Sequence, residues 1–415
     1  MKIAIVGTGI SGLTAAYILS REHNITVFEK NDYIGGHTHT HDIIDQEREI
    51  AVDSGFIVYN EVTYPNFIKL LDKLGVERQR TTMGFSVKSS IKNLEYAGNS
   101  LRNIFAQRRN LFRLSFIRML FNVISFNKQA KADLDSIEPS MSLGEYLSKN
   151  KYSESFINNY IIPMGSAIWS TKENSMLDMP ALFFIRFFNN HGLLQTKDRS
   201  GWWVIKGGSR EYVKKITKDF YSDIRLSTEV NSISRKEGMV YINSGADNRE
   251  EIFDGVVIAS HSNQALGMLS DPSIEEKEIL GALPYQKNDA ILHTDISILP
   301  SRKDAWASWN YNLDQAKDKP LAMTYNMNIL QTLETEKTYC VTLNSKDKLD
   351  RNSVIKKLSY EHPLFTKKGI EAQKRKGEIS GIKNTYYCGA YWGNGFHEDG
   401  VVSALDVCED FGLSL

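Results

Sequence analysis

The chain has 415 residues, and its 50 lysines and arginines are balanced by 50 aspartates and glutamates. This length suffices for a large core and predicts two domains. The zero formal net charge excludes a global field that would attract nucleic acid. The wide spacing of Cys340, Cys388 and Cys408 argues against a disulfide framework or a zinc site and favours a reduced, cytoplasmic compartment. No apolar run reaches the roughly 20 residues of a membrane-spanning helix.

The first predicted elements are a strand, a tight turn and a helix. An apolar run over residues 2–6 leads directly into Gly7-Thr-Gly9-Ile10-Ser11-Gly12, and an apolar helix is expected over residues 13–21. In this spacing the first glycine permits the turn, the second lets phosphates approach the backbone, and the third lets the helix pack on the strand. The unpaired N–H groups and the dipole of the helix N-terminus favour an anion. We therefore predict that Gly7, Gly9, Ile10, Ser11 and Gly12 contact a pyrophosphate.

The next strand, over residues 24–29, ends in an acidic residue. Glu29 follows Gly12 by seventeen positions, and Lys30 comes directly after it. A carboxylate at the tip of this strand accepts hydrogen bonds from ribose hydroxyls and would repel a 2′-phosphate. The three signals together predict a dinucleotide.

A glycine doublet follows, in Gly35-Gly36-His37-Thr38. With the first turn and Glu29, it resembles the N-terminal signature of the flavin-containing amine oxidase superfamily, which includes monoamine oxidases, protoporphyrinogen oxidases and carotenoid desaturases. Within it, the chain is similar to a bacterial subgroup of NAD/FAD-binding oxidoreductases in segments from residues 52–60 to residues 387–400. The resemblance implies FAD. Non-covalent binding is expected, because Cys388 lies within a predicted strand.

The fold that the resemblance implies is α/β: a Rossmann-like FAD-binding domain of the glutathione reductase type (GR2), interleaved with an α+β substrate domain. The β/α rhythm returns near residue 206, where a helix opens at Gly207-Gly208, followed by predicted strands over 224–233, 239–243 and 253–260. It returns again as a strand over 384–390 and a helix after Gly400. We assign 1–75, 201–281 and 376–415 to the FAD-binding domain, and 76–200 and 282–375 to the substrate-binding domain.

Further cofactor contacts are carried over by position from the resemblance. The glycine-rich segment over 388–400 is expected to run beside the flavin, with a helix N-terminus facing the ring where negative charge grows on reduction. Val230 is placed in the strand that bonds adenine through its backbone. Together with Glu29 and Lys30, these contacts are Gly35, Gly36, His37, Thr38, Asp53, Ser54, Gly55, Val230, Ala259, Gly389, Asp399, Gly400 and Val401.

The catalytic candidates are His397, Tyr391 and Trp392. His397 suits a proton relay or a substrate-orienting group, and a purely structural hydrogen-bonding role remains equally open. The two aromatic residues suit a cage at the flavin face, although aromatic residues more often belong to a core. His37, His39 and His41 alternate and would share one face of a strand. We predict no metal there, because no acidic residue or cysteine has a matching spacing.

Residues 101–126 bear on partners and substrate, because they combine bulky apolar residues with five arginines and no acidic residue. Such a helix can lie in an anionic lipid interface, or it can pack its apolar side on the core. We expect FAD-dependent dehydrogenation of a C–C or C–N bond by hydride transfer to flavin N5. The first candidate substrate is a lipid or fatty-acyl group, and the second is a small amine. A non-catalytic flavin-binding protein that senses redox state or tethers to membranes is the alternative of another class.

Overall fold

A computed structural model describes residues 1–169, 173–194, 201–314, 322–345 and 349–415. In these ranges the strands are β1 Lys2–Val6, β2 Asn24–Phe28, β3 Thr40–Asp45, β4 Arg48–Asp53, β5 Val58–Asn60, β6 Arg78–Thr81, β7 Phe85–Ser89, β8 Leu94–Ala97, β9 Trp202–Ile205, β10 Ile224–Arg225, β11 Val230–Lys236, β12 Met239–Ser244, β13 Arg249–Phe253, β14 Gly255–Ile258, β15 Tyr285–His293, β16 Trp309–Asn312, β17 Ala322–Asn326, β18 Cys340–Leu343, β19 Val354–Pro363 and β20 Thr385–Tyr387.

The α-helices of the same ranges are α1 Ile10–Leu19, α2 Pro65–Leu74, α3 Leu101–Ile104, α4 Leu114–Asp133, α5 Leu143–Lys149, α6 Glu154–Phe156, α7 Ile162–Trp169, α8 Glu173–Asp178, α9 Ala181–Asn190, α10 Arg210–Ile216, α11 Ser262–Met268, α12 Ile274–Gly281, α13 Met327–Leu330, α14 Lys367–Gln373 and α15 His397–Asp410.

A five-stranded parallel sheet has the order β10-β2-β1-β14-β20. Its central strands are buried on both faces, as their continuous apolar runs predict. One face packs against α1, α10 and α15, and the other packs against the three-stranded sheet β11-β12-β13. The α/β fold with a Rossmann-like parallel sheet is therefore confirmed. Gly7, Glu29, Ala259 and the segment after Tyr387 all follow strands at the carboxyl edge of this sheet.

A second, seven-stranded sheet has the order β19-β15-β18-β17-β16-β7-β8. Its apolar residues join those of α4 to α9 in the largest hydrophobic cluster of the described residues. Half-buried Phe396, directly before α15, packs against both this cluster and the cluster beneath the parallel sheet. The segment around Phe396 therefore lies where the two cores meet.

Two predicted elements were wrong in detail. The first helix begins at Ile10, so Gly12 lies inside it rather than before it. The strand predicted over 224–233 is two strands, β10 and β11, which belong to different sheets. Ser227 between them has φ +50°, a left-handed conformation that turns the chain out of the parallel sheet.

Candidate functional site

The glycine turn after β1 is formed by close backbone approach. Gly7 has φ +103°, and a Cβ at Gly12 would lie 2.0 Å from the Gly7 carbonyl oxygen. At Gly9, which caps α1, a Cβ would meet nothing within 4 Å. The N-terminus of α1 therefore faces open space at Gly9, while Gly12 holds the helix against the turn.

The loop with the glycine doublet lies directly on this turn. A Cβ on Gly36, which has φ +59°, would lie 3.1 Å from the Cα atom of Gly9. Gly35 donates its N–H to the Thr8 hydroxyl at 3.2 Å. The two predicted cofactor loops are thus in contact, although more than twenty residues separate them in the sequence.

The Glu29 carboxylate is buried and holds these loops together. One oxygen accepts from the Thr8 N–H at 3.0 Å and from its hydroxyl at 2.6 Å. The other accepts from the Asn31 N–H at 2.9 Å and from its amide at 2.8 Å. Glu29 therefore positions the glycine turn from within the protein. Its contact with a ribose stays a prediction, as does that of exposed Lys30 with the cofactor.

Val230 and Ala259 lie beside the same strand ends. The Ala259 N–H donates to the carbonyl of Val6 at 2.9 Å, and the Ala259 carbonyl lies 3.2 Å from where a Cβ of Gly7 would be. Val230 begins β11, just after the Thr228 N–H donates to the Glu29 carbonyl at 2.8 Å. Both residues are near the turn and were assigned by position alone.

The Asp53 side chain is held by Ser209 at the start of α10 and by Gln331. Fully buried, it accepts from the Ser209 N–H at 3.0 Å, from the Ser209 hydroxyl at 2.8 Å and from the Gln331 amide at 3.1 Å. Burial raises the pKa of this carboxyl to about 6 despite its hydrogen bonds to Thr40 and Ser209. Asp53 thus joins the start of α10 to β4, and its predicted cofactor contact remains untested.

The next two residues return to the glycine doublet. A Cβ at Gly55 would lie 2.0 Å from the His37 carbonyl oxygen. The Ser54 hydroxyl is bonded to His41 Nε2 at 2.7 Å and to the Tyr360 hydroxyl at 2.8 Å. Gly55 therefore fixes the backbone of the His37 loop, and Ser54 links it to β19.

The helix predicted after Gly400 is α15, but it begins at His397, so Gly400 lies in its first turn rather than before it. A Cβ there would lie 2.7 Å from Ile10 Cγ2 and 2.9 Å from Ser11 Oγ. Gly400 therefore lets the N-termini of α15 and α1 approach each other, and buried Val401 follows it. Asp399 accepts from the Phe396 N–H at 2.8 Å, and burial raises its pKa to about 6.

His397 sits in a packed network rather than at a free surface. Its Nε2 lies 3.0 Å from Thr38 Oγ1 and 3.3 Å from the Tyr212 hydroxyl. Its ring stacks on Phe56, with centroids 3.5 Å apart. Burial, together with repulsion from His37, lowers its pKa well below the ordinary value, so the imidazole is neutral. The geometry joins Thr38 to His397 and places its Nε2 within hydrogen-bond distance of two hydroxyls.

The other two catalytic candidates lie elsewhere. The rings of Tyr391 and Trp392 contact each other at 4.9 Å, and Trp392 packs against the core between the parallel sheet and β11–β13. Among the described residues, no ring contact joins either of them to His397. Gly389, where a Cβ would lie 2.3 Å from the Tyr391 ring, donates its N–H to Ser403 in α15 at 2.8 Å.

An aromatic cluster surrounds Phe396, directly before α15. Phe396 lies 5.2 Å from the Phe187 ring and 5.8 Å from the His191 ring, and Trp169 lies 4.7 Å from Phe187. Phe183 stacks on Phe365 at 5.0 Å. Burial lowers the pKa of His191 to about 4, so this imidazole is also neutral. The cluster is apolar and adjoins His397 through Phe396.

The three alternating histidines do not lie in one strand. β3 begins at Thr40, so only His41 is in a strand. His39 stacks on Tyr33 at 4.0 Å and contacts His41 at 4.2 Å. His37 instead lies 5.6 Å from His362 and 5.8 Å from His261. Sequence reasoning missed His261, His362 and Tyr360, although His261 follows a strand end at the same sheet edge as Gly7.

Residues 101–126 do not form one helix, contrary to expectation. They comprise α3, a short 3₁₀ segment over Arg108–Phe112 and the first part of α4. Phe116, Met119 and Phe126 face the core, as one of the two interpretations required. The outer surface is also apolar, with exposed Phe112, Leu114, Phe121 and Ile124. Within the parts of the chain that the structure covers, no helix has the length and hydropathy to cross a bilayer.

The residues at the carboxyl edge of the parallel sheet fit an FAD molecule. The N-terminus of α1 is open at Gly9, where a diphosphate is expected. Three separate segments approach it within contact distance: the doublet through Gly36, α15 through Gly400 and the strand end through Ala259. A glycine lies at each of these three close contacts.

Comparisons with known proteins bear on this site. The family model for flavin-containing amine oxidoreductases matches residues 10–295. Cyclohexylamine oxidase from Brevibacterium oxydans IH-35A is similar over 99% of both chains, with a TM-score of 0.69 and 14% identity. A CLA-producing fatty acid isomerase from P. acnes has a TM-score of 0.69 at 15% identity, over 99% of this chain and 98% of its own. At these identities the two structures establish the fold.

A curated desaturase is similar over a short segment only. The 4,4'-diapophytoene desaturase (4,4'-diaponeurosporene-forming) of Staphylococcus aureus (strain Newman) is 54% identical over 37 residues. This segment is 9% of the chain and 7% of the desaturase, so the match spans a small part of that relative's length.

Proposed function

Because the chain belongs to the flavin-containing amine oxidoreductase family and is thus an FAD-dependent oxidoreductase, we propose that it dehydrogenates an acyl chain of a lipid. FAD, when bound, supplies the hydride acceptor of the reaction at flavin N5. The protein contributes orientation and exclusion of water. The observation that supports an acyl substrate is the aromatic cluster beside His397.

The aromatic cluster suits a hydrocarbon chain better than a charged group. Phe183, Phe187 and Phe396 offer ring faces, and the imidazole of His191 is neutral. The two carboxylates nearest in sequence are engaged elsewhere. Glu398 accepts from the N–H groups of Asn66 and Phe67 at 3.0 and 2.9 Å, and Asp399 accepts from the Phe396 N–H. A protonated amine would be desolvated there without a carboxylate partner, which costs free energy.

We propose that His397 positions the first turn of α15. Its Nε2 bonds Thr38 and Tyr212, so it ties the first turn of α15 to the glycine-doublet loop. It thereby holds Phe396 of the aromatic cluster at the cofactor side of the protein. The similarity to a fatty acid isomerase and to a desaturase supports an acyl or polyene substrate. The similarity to cyclohexylamine oxidase keeps a small amine as the second candidate.

Anaerobic reduction of the flavin tests the substrate class. The purified holoprotein is mixed without oxygen with oleate, with phosphatidylcholine vesicles or with cyclohexylamine, and the absorbance of oxidised flavin is followed. We expect bleaching by the two acyl substrates. Bleaching by the amine alone would contradict the acyl proposal and favour the second candidate. A flavin that none of them bleaches would contradict both and favour a non-catalytic flavoprotein.

A matched pair of variants tests whether the aromatic cluster contacts the substrate. Phe187→Leu changes the aromatic cluster, whereas Phe253→Leu changes a buried phenylalanine between the parallel sheet and β11–β13. Both remove a ring and keep an apolar side chain. We expect Phe187→Leu to slow bleaching by oleate and Phe253→Leu to leave its rate unchanged. Equal rates in both variants would contradict the assignment of the cluster.

We further propose that residues 101–126 bind the surface of an anionic membrane. Phe112 is 87% exposed and Leu114 is 86% exposed, and exposed Arg108, Arg109 and Arg118 surround them. Apolar side chains can enter the interface while arginines bind anionic headgroups, each worth about 1 kcal/mol near the surface. This surface would bring the enzyme to its lipid substrate. Co-sedimentation with phosphatidylserine vesicles at low salt is expected, and no binding to them would contradict the proposal.

A further inference from the structure

Three histidines from three separate segments meet beside the glycine turn. His37 follows the doublet, His261 follows β14, and His362 is in β19 of the other sheet. The His37 ring centroid lies 5.8 Å from that of His261 and 5.6 Å from that of His362. We call these three residues the histidine cluster.

Two members of the histidine cluster belong to loops that contact the turn itself. His37 is adjacent to Gly36, where a Cβ would lie 3.1 Å from Gly9 Cα. His261 comes two residues after Ala259, whose carbonyl approaches Gly7. Gly9 is the open N-cap of α1, where a diphosphate binds in this kind of turn. The segment Gly7–Gly12 has no basic side chain of its own.

Residues of β15 and β19 contact the histidine cluster. His37 donates to the backbone carbonyl of Glu361 and lies 5.1 Å from the Tyr360 ring. His362 Nδ1 accepts from the Asn288 amide at 2.9 Å. His261 is stacked on Tyr285 at 4.5 Å.

The charges that act on the cluster come from Glu361, Lys30 and the histidines themselves. His261 Nδ1 lies 3.3 Å from the Glu361 carboxylate, and Lys30 and the other two histidines repel a proton from it. His37 also repels a proton from His397 of α15. Burial, reinforced by this mutual repulsion, lowers the pKa values of His261 and His362 to about 3. Burial lowers the pKa of His37 as well, so the cluster is neutral near pH 7.

We propose that the histidine cluster is a proton-linked part of the diphosphate site, in which His37 and His261 flank the FAD diphosphate and the cluster takes up a proton when FAD binds. The diphosphate brings two negative charges to imidazoles that have one carboxylate as a neighbour. A nearby negative charge favours the protonated form of histidine. His362 acts through His37, because one proton shared among neighbouring imidazoles relieves their repulsion. The proposal rests on FAD binding and is independent of the acyl substrate.

The sign of the pH effect follows from linkage. In the free protein His261 and His362 have pKa values of about 3 and the pKa of His37 is lowered, so the cluster is neutral near pH 7, whereas the complex is proposed to hold one proton up to a higher pH. Between the pKa of the cluster in the free protein and its pKa in the complex, FAD binding takes up one proton. The dissociation constant of FAD therefore rises by up to about tenfold for each unit rise in pH. FAD affinity should therefore fall as the pH rises from 5 and level off near neutrality.

The experiment measures FAD release from the holoprotein. Serial dilution at pH values from about 5 to 8 gives the dissociation constant from the recovered flavin fluorescence, and a pH indicator in weak buffer counts the protons released with FAD. His261→Gln and His362→Gln keep hydrogen-bonding side chains. His23→Gln, at the far end of α1 where His23 contacts Phe411, is the matched control. Circular dichroism at each pH confirms that each variant is folded.

We expect the wild type and His23→Gln to bind FAD more weakly as the pH rises and to release protons with the cofactor. In His261→Gln and His362→Gln the slope should become shallower and proton release should decrease. A dissociation constant independent of pH, or equal slopes in all four proteins, would overturn this proposal and leave the flavoprotein assignment intact. A protein that binds no FAD would overturn both.

Discussion

The carboxyl edge of the parallel sheet and the surface of residues 101–126 are organised in opposite ways. At the sheet edge, backbone approaches backbone so closely that a Cβ at Gly12 or Gly55 would lie 2.0 Å from a carbonyl oxygen. At the surface, large apolar side chains such as Phe112 and Leu114 project into solvent. The close contacts of the first region suit a cofactor, and we propose that the exposed side chains of the second contact an anionic membrane. Substitutions should therefore act on the cofactor in one region and on the lipid surface in the other.

The largest effect is expected for Gly12→Ala. The added Cβ meets the backbone of Gly7, which cannot rotate away as a side chain could. Separating α1 from the turn should cost more than about 3 kcal/mol of unfolding free energy and remove bound FAD. Denaturant unfolding and flavin content measure both. Gly267→Ala, within α11 where a Cβ meets nothing within 4 Å, is the control and should leave both unchanged.

Retention of full FAD content in Gly12→Ala would break the comparison, because the sheet edge would then tolerate a side chain as the exposed surface does. Loss of FAD in both glycine variants would show a general loss of stability instead.

A smaller effect, which depends on pH, is expected for Asp53→Asn. Burial raises the pKa of Asp53 from 3.8 to about 6, so folding disfavours the charged form, and the stability that this group contributes is lost as the pH rises through 6. The shift of roughly two units corresponds to about 3 kcal/mol. The stability of Asp53→Asn relative to wild type should therefore improve by about this amount between pH 4 and pH 7.

Asp42→Asn gives the opposite sign and serves as the control. Its hydrogen bond with Arg210 lowers the pKa of Asp42, so its charged form is favoured by folding. Relative to wild type, Asp42→Asn should lose stability as the pH rises from the lowered pKa to the ordinary value of 3.8, and its relative stability should stay constant at higher pH. The two curves are measured by urea unfolding across the pH range. Parallel curves would contradict the burial of an uncompensated charge at Asp53.

The smallest effect concerns the surface. Phe112→Ser combined with Leu114→Ser should weaken binding to phosphatidylserine vesicles by about tenfold or more, since each exposed side chain that enters the interface contributes roughly 1 kcal/mol or more. FAD content should not change. Ile44→Ser, at another exposed apolar residue in β3, should leave vesicle binding unchanged. An equal loss in both proteins would contradict a specific membrane surface.

The sequence predicted the parallel sheet and the glycine turn at its carboxyl edge, because these depend on local spacing and on strands buried on both faces. It failed at Gly400, where helix packing rather than a turn requires glycine. It also failed at residues 224–233, where left-handed Ser227 divides the predicted strand. His362 could not be grouped with His37, since over three hundred residues and a different sheet separate them. The boundaries of the two domains remain a prediction.

Hydrogen–deuterium exchange of the holoprotein, compared with protein depleted of FAD and with protein bound to phosphatidylserine vesicles, tests the central claim that the two regions have separate ligands. We predict that FAD slows exchange in residues 7–12, 35–38 and 397–401 and leaves 108–124 unchanged. Vesicles should slow exchange in 108–124 and leave the glycine segments unchanged. Protection of 108–124 by FAD, or no protection of 7–12 and 35–38 when FAD is bound, would contradict the account.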